Sequence, residues 1–225
     1  MPSCPFVVPE LKKLIIIGAG GLGREVAWLV ERINHQSPTW NLLGFVDDNP
    51  NLHHTIVNGH PVLGGCETLA AYPDAYAVCA VGAPKVRRRI IEKIKNISPS
   101  RRYATLLDPT VEKSDTVSIG EGSIVCAHSI LTVDIHIGDH VIVNLDCKIG
   151  HDAVIDDFAT VHPSVNISGD VHVGEGAELG TGTRIIQRTT IGRNAVVGIG
   201  SVVVNDIPGD CVAVGCPARA VKFNS

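Results

Sequence analysis

LTVDIHIGDHVIVNLDCKIGHDAVI, residues 131–155, places an aliphatic side chain at every sixth position: Leu131, Ile137, Val143, Ile149 and Ile155. Working outward, the series runs unbroken from Ile119 and Val125 on one side to Val161, Ile167, Val173, Leu179, Ile185, Ile191, Val197 and Val203 on the other. Two residues before each member stands a small or β-branched residue, such as Val117, Ser123, Ala153 or Thr183. Glycine often follows, as at Gly120, Gly138, Gly150, Gly174 and Gly192. A fixed internal period marks a repeat architecture. An α-helix does not fit it, because six residues at about 100° each send successive members around the cylinder instead of along one face. A solenoid with three short sides per coil does fit. Each hexad forms one side, its aliphatic residue points inward, and three sides close a coil of 18 residues. Neighbouring coils pair as parallel strands about 4.8 Å apart. The fifteen hexads make five such coils.

Upstream, over residues 12–107, the period changes to alternating strands and helices. Leu14–Ile17 is a short apolar run suited to a buried strand. Gly18–Gly23 is a glycine turn, and Arg24–Asn34 carries helical apolar spacing at Val26, Leu29, Val30 and Ile33. Leu42–Val46 and Tyr76–Val81 read as further strands, and Lys85–Asn96 as a basic amphipathic helix whose charges form a solvated face. The order is that of a small parallel α/β unit. The chain thus divides into a tail (1–11), an α/β domain (12–107), a β-helix (108–210) and a closing segment (211–225).

The composition agrees. Aromatic residues are only 4% of the chain while hydrophobic residues are 44%, so the core must be aliphatic. A net charge of -4 argues against a nucleic-acid partner. Seven scattered cysteines, with no CxxC pair, point to a reducing compartment, most simply the cytoplasm, and to neither a disulfide framework nor a metal site. No signal peptide and no membrane-spanning run is read in the sequence.

The [LIV]-G-x4 pattern resembles the hexapeptide repeat of left-handed parallel β-helix acyltransferases. The stretch VGCPARAVK (Val214–Lys222) is similar to the segment that closes many of them. IIIGAGGLGREVA (Ile15–Ala27), GFVDD (Gly44–Asp48) and AVG (Ala80–Gly82) resemble one branch, the PglD/NeuD-type sugar acetyltransferases. The resemblance covers about residues 12–222. It implies a Rossmann-like α/β domain ahead of a left-handed β-helix, acetyl-CoA as co-substrate, a sugar or nucleotide-sugar acceptor, and a homotrimer with active sites between subunits.

The resemblance also implies residue roles. His151, in IGHDAVIDDF, stands where the family has its general base, with Asp152 as the acid that orients it. One coil further on, Gly169 stacks over His151, at the position of an oxyanion-binding amide. The same 18-residue step stacks His162, Gly180 and Gly198 along one edge beside Thr181 and Ile199, where relatives contact CoA. One departure is Phe158-Ala159-Thr160, where relatives carry a second histidine; either Thr160 or His162 replaces it at the acetyl donor.

Gly18-Ala19-Gly20-Gly21-Leu22-Gly23 follows a strand and opens a helix, as a phosphate-cradling turn does. By itself, with Asp47 at the next strand end as a ribose ligand, it reads as an NAD site and an oxidoreductase. The resemblance instead implies an acceptor pocket of Gly20, Gly21, Leu22, Asp47, Asp48 and Gly82, with Leu22 standing where some relatives carry histidine. A third reading is a non-catalytic β-helix scaffold, which would bind no CoA.

Overall fold

The computed structural model describes residues 10–223, so Cys4 and residues 1–9 of the expected tail lie outside the described residues. The α/β domain contains β1 (Lys12–Ile17), α1 (Gly21–Gln36), β2 (Trp40–Val46), β3 (Ile56–Val57), β4 (His60–Pro61), β5 (Tyr76–Cys79) and α2 (Pro84–Ile97). Strands β1, β2 and β5 form one parallel sheet in the order β2-β1-β5. Leu14–Ile17 is buried on both faces, which is why it is a continuous apolar run. Helix α1 covers one face with Val26, Ala27, Leu29 and Val30. The β3–β4 hairpin lies in what the sequence reads only as a loop.

From Leu106 onward the chain winds as a parallel β-helix. Up to the last coil, each rung pairs with the rung 18 residues later, as Ile130 with Lys148 and Ile142 with Thr160. The period-six aliphatics point inward and make one continuous core with the small residues between them. Many corner residues adopt positive φ, among them Asp134, Asp146, Asp152, Asp170 and Asn194, short polar side chains that tolerate this conformation. The helix is longer than the five coils expected. One face has six parallel rungs beginning at Glu112–Lys113, and another begins at Leu106–Leu107. The first coil escapes the sequence pattern because exposed Lys113 occupies the place of an inward aliphatic. At the far end Cys211–Gly215 pairs in parallel with the Val196–Val197 rung, and Ala218–Phe223 folds back antiparallel on it.

The two domains share a core. Val26, Leu29 and Val30 of α1 pack in one cluster with Leu106, Ile124 and Ile142 of the first coils. Three arginines clamp the joint. Arg32 donates to Asp108 through Nε (2.6 Å) and Nη2 (3.0 Å). Arg88 pairs with Glu175 and lies 4.8 Å over the Phe158 ring. Arg87 is buried outright. The solvated face expected of α2 is only half present: Lys85, Arg89 and Lys95 are exposed, but Arg87 and Arg88 are committed to the joint and Lys93 to Asp48. The cue was in the sequence: Arg87 stands four residues before Ile91 and seven before Ile94, on the helix's buried stripe.

Asp108 gives the joint an acid-sensitive element. Burial pushes its pKa up, but the Arg32 guanidinium and the Thr110 hydroxyl and amide outweigh this and hold it below the ordinary value. A carboxylate with a lowered folded pKa contributes fully above its unfolded value of about 3.9. That contribution is lost as the pH falls through the lower folded value. Asp108→Asn is therefore expected to melt below the wild type at pH 7, with the gap narrowing below about pH 4. Differential scanning calorimetry between pH 7 and 3 checks this.

Candidate active site

His151 sits at a β-helix corner, just before Asp152, whose φ of 60° turns the chain. The turn brings His151 Nδ1 to 2.7 Å from Asp152 Oδ2. Both side chains are about 60% exposed, so the pair stands open at the surface rather than serving the core. Nε2 faces the next coil, and an Nδ1–H donated to the carboxylate would leave the lone pair on Nε2. There it meets Gly169. A Cβ on Gly169 would fall within 2.5 Å of His151 Cε1 and still nearer Nε2. Gly169 has no positive φ, so it is glycine because the imidazole occupies the space a side chain would take. Its neighbours' amides are used, Ser168 N on Ile185 O and Asp170 N on His151 O, and its own carbonyl accepts from Arg188. The Gly169 N–H has no acceptor among the described residues.

On the next corner a groove of about 210 Å³ is lined by His162, Glu178, Gly180, Thr181, Gly198 and Ile199, with Val196 and Val197 at its floor. Five of these are the residues the sequence assigned to the acyl donor. Glu178 is an addition: its Oε1 lies 2.8 Å from His162 Nε2 and fixes that ring. The 18-residue step was the available signal, since it places Glu178 beside Thr160 in register. Gly180 is required by close packing, because a Cβ there would lie 2.7 Å from Ile199 N.

Thr160 is not part of this groove. The residue is 1% exposed, and its hydroxyl donates to Gly82 O at 2.7 Å and accepts from Arg87 Nη2 at 3.0 Å. The position where the resemblance implies a second histidine is thus spent here on the domain joint, and it is His162, beside Glu178 and Thr181, that lines the groove.

The third cluster lies at the carboxyl ends of β1, β2 and β5. The chain leaves β1 for β2 on one side and reaches β5 on the other, which makes a topological switch point of the kind that binds ligands in open α/β sheets. Gly20 and Gly21 are exposed at the start of α1, and Leu22 Cδ2 lies 3.9 Å from where a Gly82 Cβ would be. Asp47 is engaged by backbone amides of the loop. Its Oδ2 accepts from Ala19 N and its Oδ1 from Asn49 N, both at 2.9 Å, so it closes the glycine loop. Asp48 accepts from Cys66 N (2.9 Å) and Lys93 Nζ (2.8 Å). Burial raises its pKa, but these two partners prevail and hold it below the usual carboxylate value. The sequence reading missed Lys93 because α2 approaches the β2 end only in the folded domain.

Comparison with known proteins gives this arrangement a context. The family model of the PglD N-terminal domain matches residues 13–94. The GDP-perosamine N-acetyltransferase of Escherichia coli O157:H7 is 32% identical over 217 residues, which cover 92% of this chain and 95% of that protein. The acetyltransferase domain of PglB from Neisseria gonorrhoeae FA1090, solved with acetyl coenzyme A, superposes with a TM-score of 0.83 at 31% identity, covering 94% of this chain and all of that one. A variant perosamine N-acetyltransferase from Caulobacter crescentus, in complex with CoA and GDP-perosamine, superposes with a TM-score of 0.83 at 29% identity, over 94% of this chain and 97% of that one. The likeness runs through both domains, from the glycine loop to the closing hairpin, and this chain belongs to the PglD-type family of acetyl-CoA-dependent sugar acetyltransferases.

Proposed function

We propose that this chain acetylates the amino group of a nucleotide-linked amino sugar by direct attack on acetyl-CoA. The observation that carries the reading is a corner at which a carboxylate-paired imidazole packs against a glycine whose amide has no acceptor among the described residues. His151 Nε2 takes a proton from the attacking amine as the new C–N bond forms at the thioester carbonyl. The carbonyl oxygen becomes an oxyanion and accepts from Gly169 N–H. Collapse breaks the C–S bond, and the imidazolium returns the proton to the departing thiolate. Asp152 holds the ring in the tautomer that leaves Nε2 unprotonated. The groove at Gly180 and Gly198 takes the pantetheine arm, and the glycine loop takes the acceptor's diphosphate.

The reading includes a homotrimer. Ile130, Ile186 and Val204 on one face of the β-helix, and Ile199 at the groove rim, are between 36% and 82% exposed. A second copy against that face would cover them and close the groove. Among the described residues no helix is long and apolar enough to cross a membrane. A thiol-release assay against a panel of GDP-, UDP- and dTDP-linked amino sugars tests the reaction, and sedimentation equilibrium tests the assembly. No acceptor-dependent thiol release across the panel, or a monomer at assay concentration, overturns the corresponding part.

Gly169→Ala follows directly. The backbone conformation accepts alanine, but the methyl group displaces the imidazole. A misplacement of this size lowers kcat on the order of 10²-fold. The KM for acetyl-CoA and the melting temperature are expected to stay near the wild-type values, as steady-state kinetics and calorimetry would show.

A further inference from the structure

We infer that Arg87, acting with Thr160, is a positioning residue for acetyl transfer: it fixes the wall of the acceptor crevice to the β-helix that carries the reacting groups. The inference rests on the proposed acceptor site. Its basis is a junction of three chain segments around one guanidinium. Arg87 Nη1 donates to Val81 O (2.7 Å) and Gly82 O (2.9 Å), the turn that ends β5 and forms one side of the switch-point crevice. Arg87 Nε donates to His140 O at 2.9 Å. Arg87 Nη2 donates to Phe158 O (2.7 Å), Ala159 O (3.1 Å) and Thr160 Oγ1 (3.0 Å). Thr160 then donates back to Gly82 O at 2.7 Å, so the crevice turn is held from both sides.

The far side of this junction is the transfer machinery. Thr160 pairs in register with Glu178, which holds His162 in the groove. A nucleotide-linked sugar anchored at the glycine loop can present its amine to a thioester only if crevice and groove keep a set separation. A guanidinium is suited to hold that separation, because its planar donors fix direction as well as distance. A flexible hinge would leave the acceptor bound but wrongly placed, and misplacement by about 1 Å is costly to rate without being costly to binding.

The test uses the full chain, with Thr160→Val, Thr160→Ser and Arg87→Lys. Three quantities are measured: kcat with the best nucleotide-linked amino sugar of the panel, KM for acetyl-CoA, and Kd for that acceptor's nucleoside diphosphate. The expected result is a kcat loss of about tenfold or more in Thr160→Val and Arg87→Lys. KM and Kd are expected to stay within about twofold of wild type, and Thr160→Ser, which keeps the hydroxyl, to restore kcat. An unchanged kcat in folded Thr160→Val and Arg87→Lys, or a parallel worsening of all three quantities, overturns the positioning role. Absence of transfer by the wild type to every acceptor is a different outcome, and it overturns the acetyl-transfer reading itself.

Discussion

Replacing His151 by glutamine is expected to lower kcat for acetyl transfer by roughly 10²–10⁴-fold, the span of a lost general base. Glutamine keeps the size and polarity of the side chain but has no basic nitrogen at the place of Nε2. Because the ring is about 60% exposed, the melting temperature should barely move. The KM for acetyl-CoA should stay within about twofold, since the groove is built on the neighbouring corner. Asp152→Asn should also slow the reaction, through the tautomer, but by less, because the imidazole itself remains. Steady-state thiol release at saturating acceptor checks both. A His151→Gln enzyme working at the wild-type rate would remove the centre of the mechanism, since among the described residues no other imidazole on this corner is paired with a carboxylate.

The parts of the molecule readable from its sequence are those in which environment repeats. Every coil offers its inward residue the same neighbours, so Leu131, Ile137 and Val143 obey one rule and reveal it. The same regularity made the pairing of His151 with Gly169 accessible, because a residue 18 positions on is a spatial neighbour wherever the coil is unbroken. Legibility stops where an environment occurs once. Lys113 hides the first coil since its rung is held by its neighbours rather than by its own side chain. Thr160 resembles an acyl-donor residue by position, yet its hydroxyl turns to Gly82, 78 residues away in the chain. Asp47, at the ribose-ligand position, also ties down Ala19. In each case the deciding partner comes from another segment, and no local spacing encodes it.

Arg87 is the clearest instance, and it carries the largest expected effect on stability. The residue is 1% exposed and has no carboxylate partner in hydrogen-bonding distance among the described residues; five carbonyls and one hydroxyl surround it. Burial lowers its pKa to about 10, which still leaves it charged at neutral pH. Arg87→Met removes the donors and leaves the acceptors in place. Ala159 O keeps the Ile142 amide and Gly82 O keeps the Thr160 hydroxyl, but Val81 O, His140 O and Phe158 O lose the partner they have among the described residues. An orphaned buried acceptor costs about 1–3 kcal/mol. Relief from burying a charge offsets part of that sum. The balance is a destabilisation of about 3 kcal/mol. For a chain of this length that is a fall in Tm of roughly 6–12 °C. Arg87→Lys, which keeps a charge and three donors, should fall between methionine and wild type. A Tm for Arg87→Met within about 2 °C of wild type would mean that the carbonyls find water or other partners at no penalty, and that the apolar cluster with the Arg32–Asp108 and Arg88–Glu175 pairs holds the joint without it.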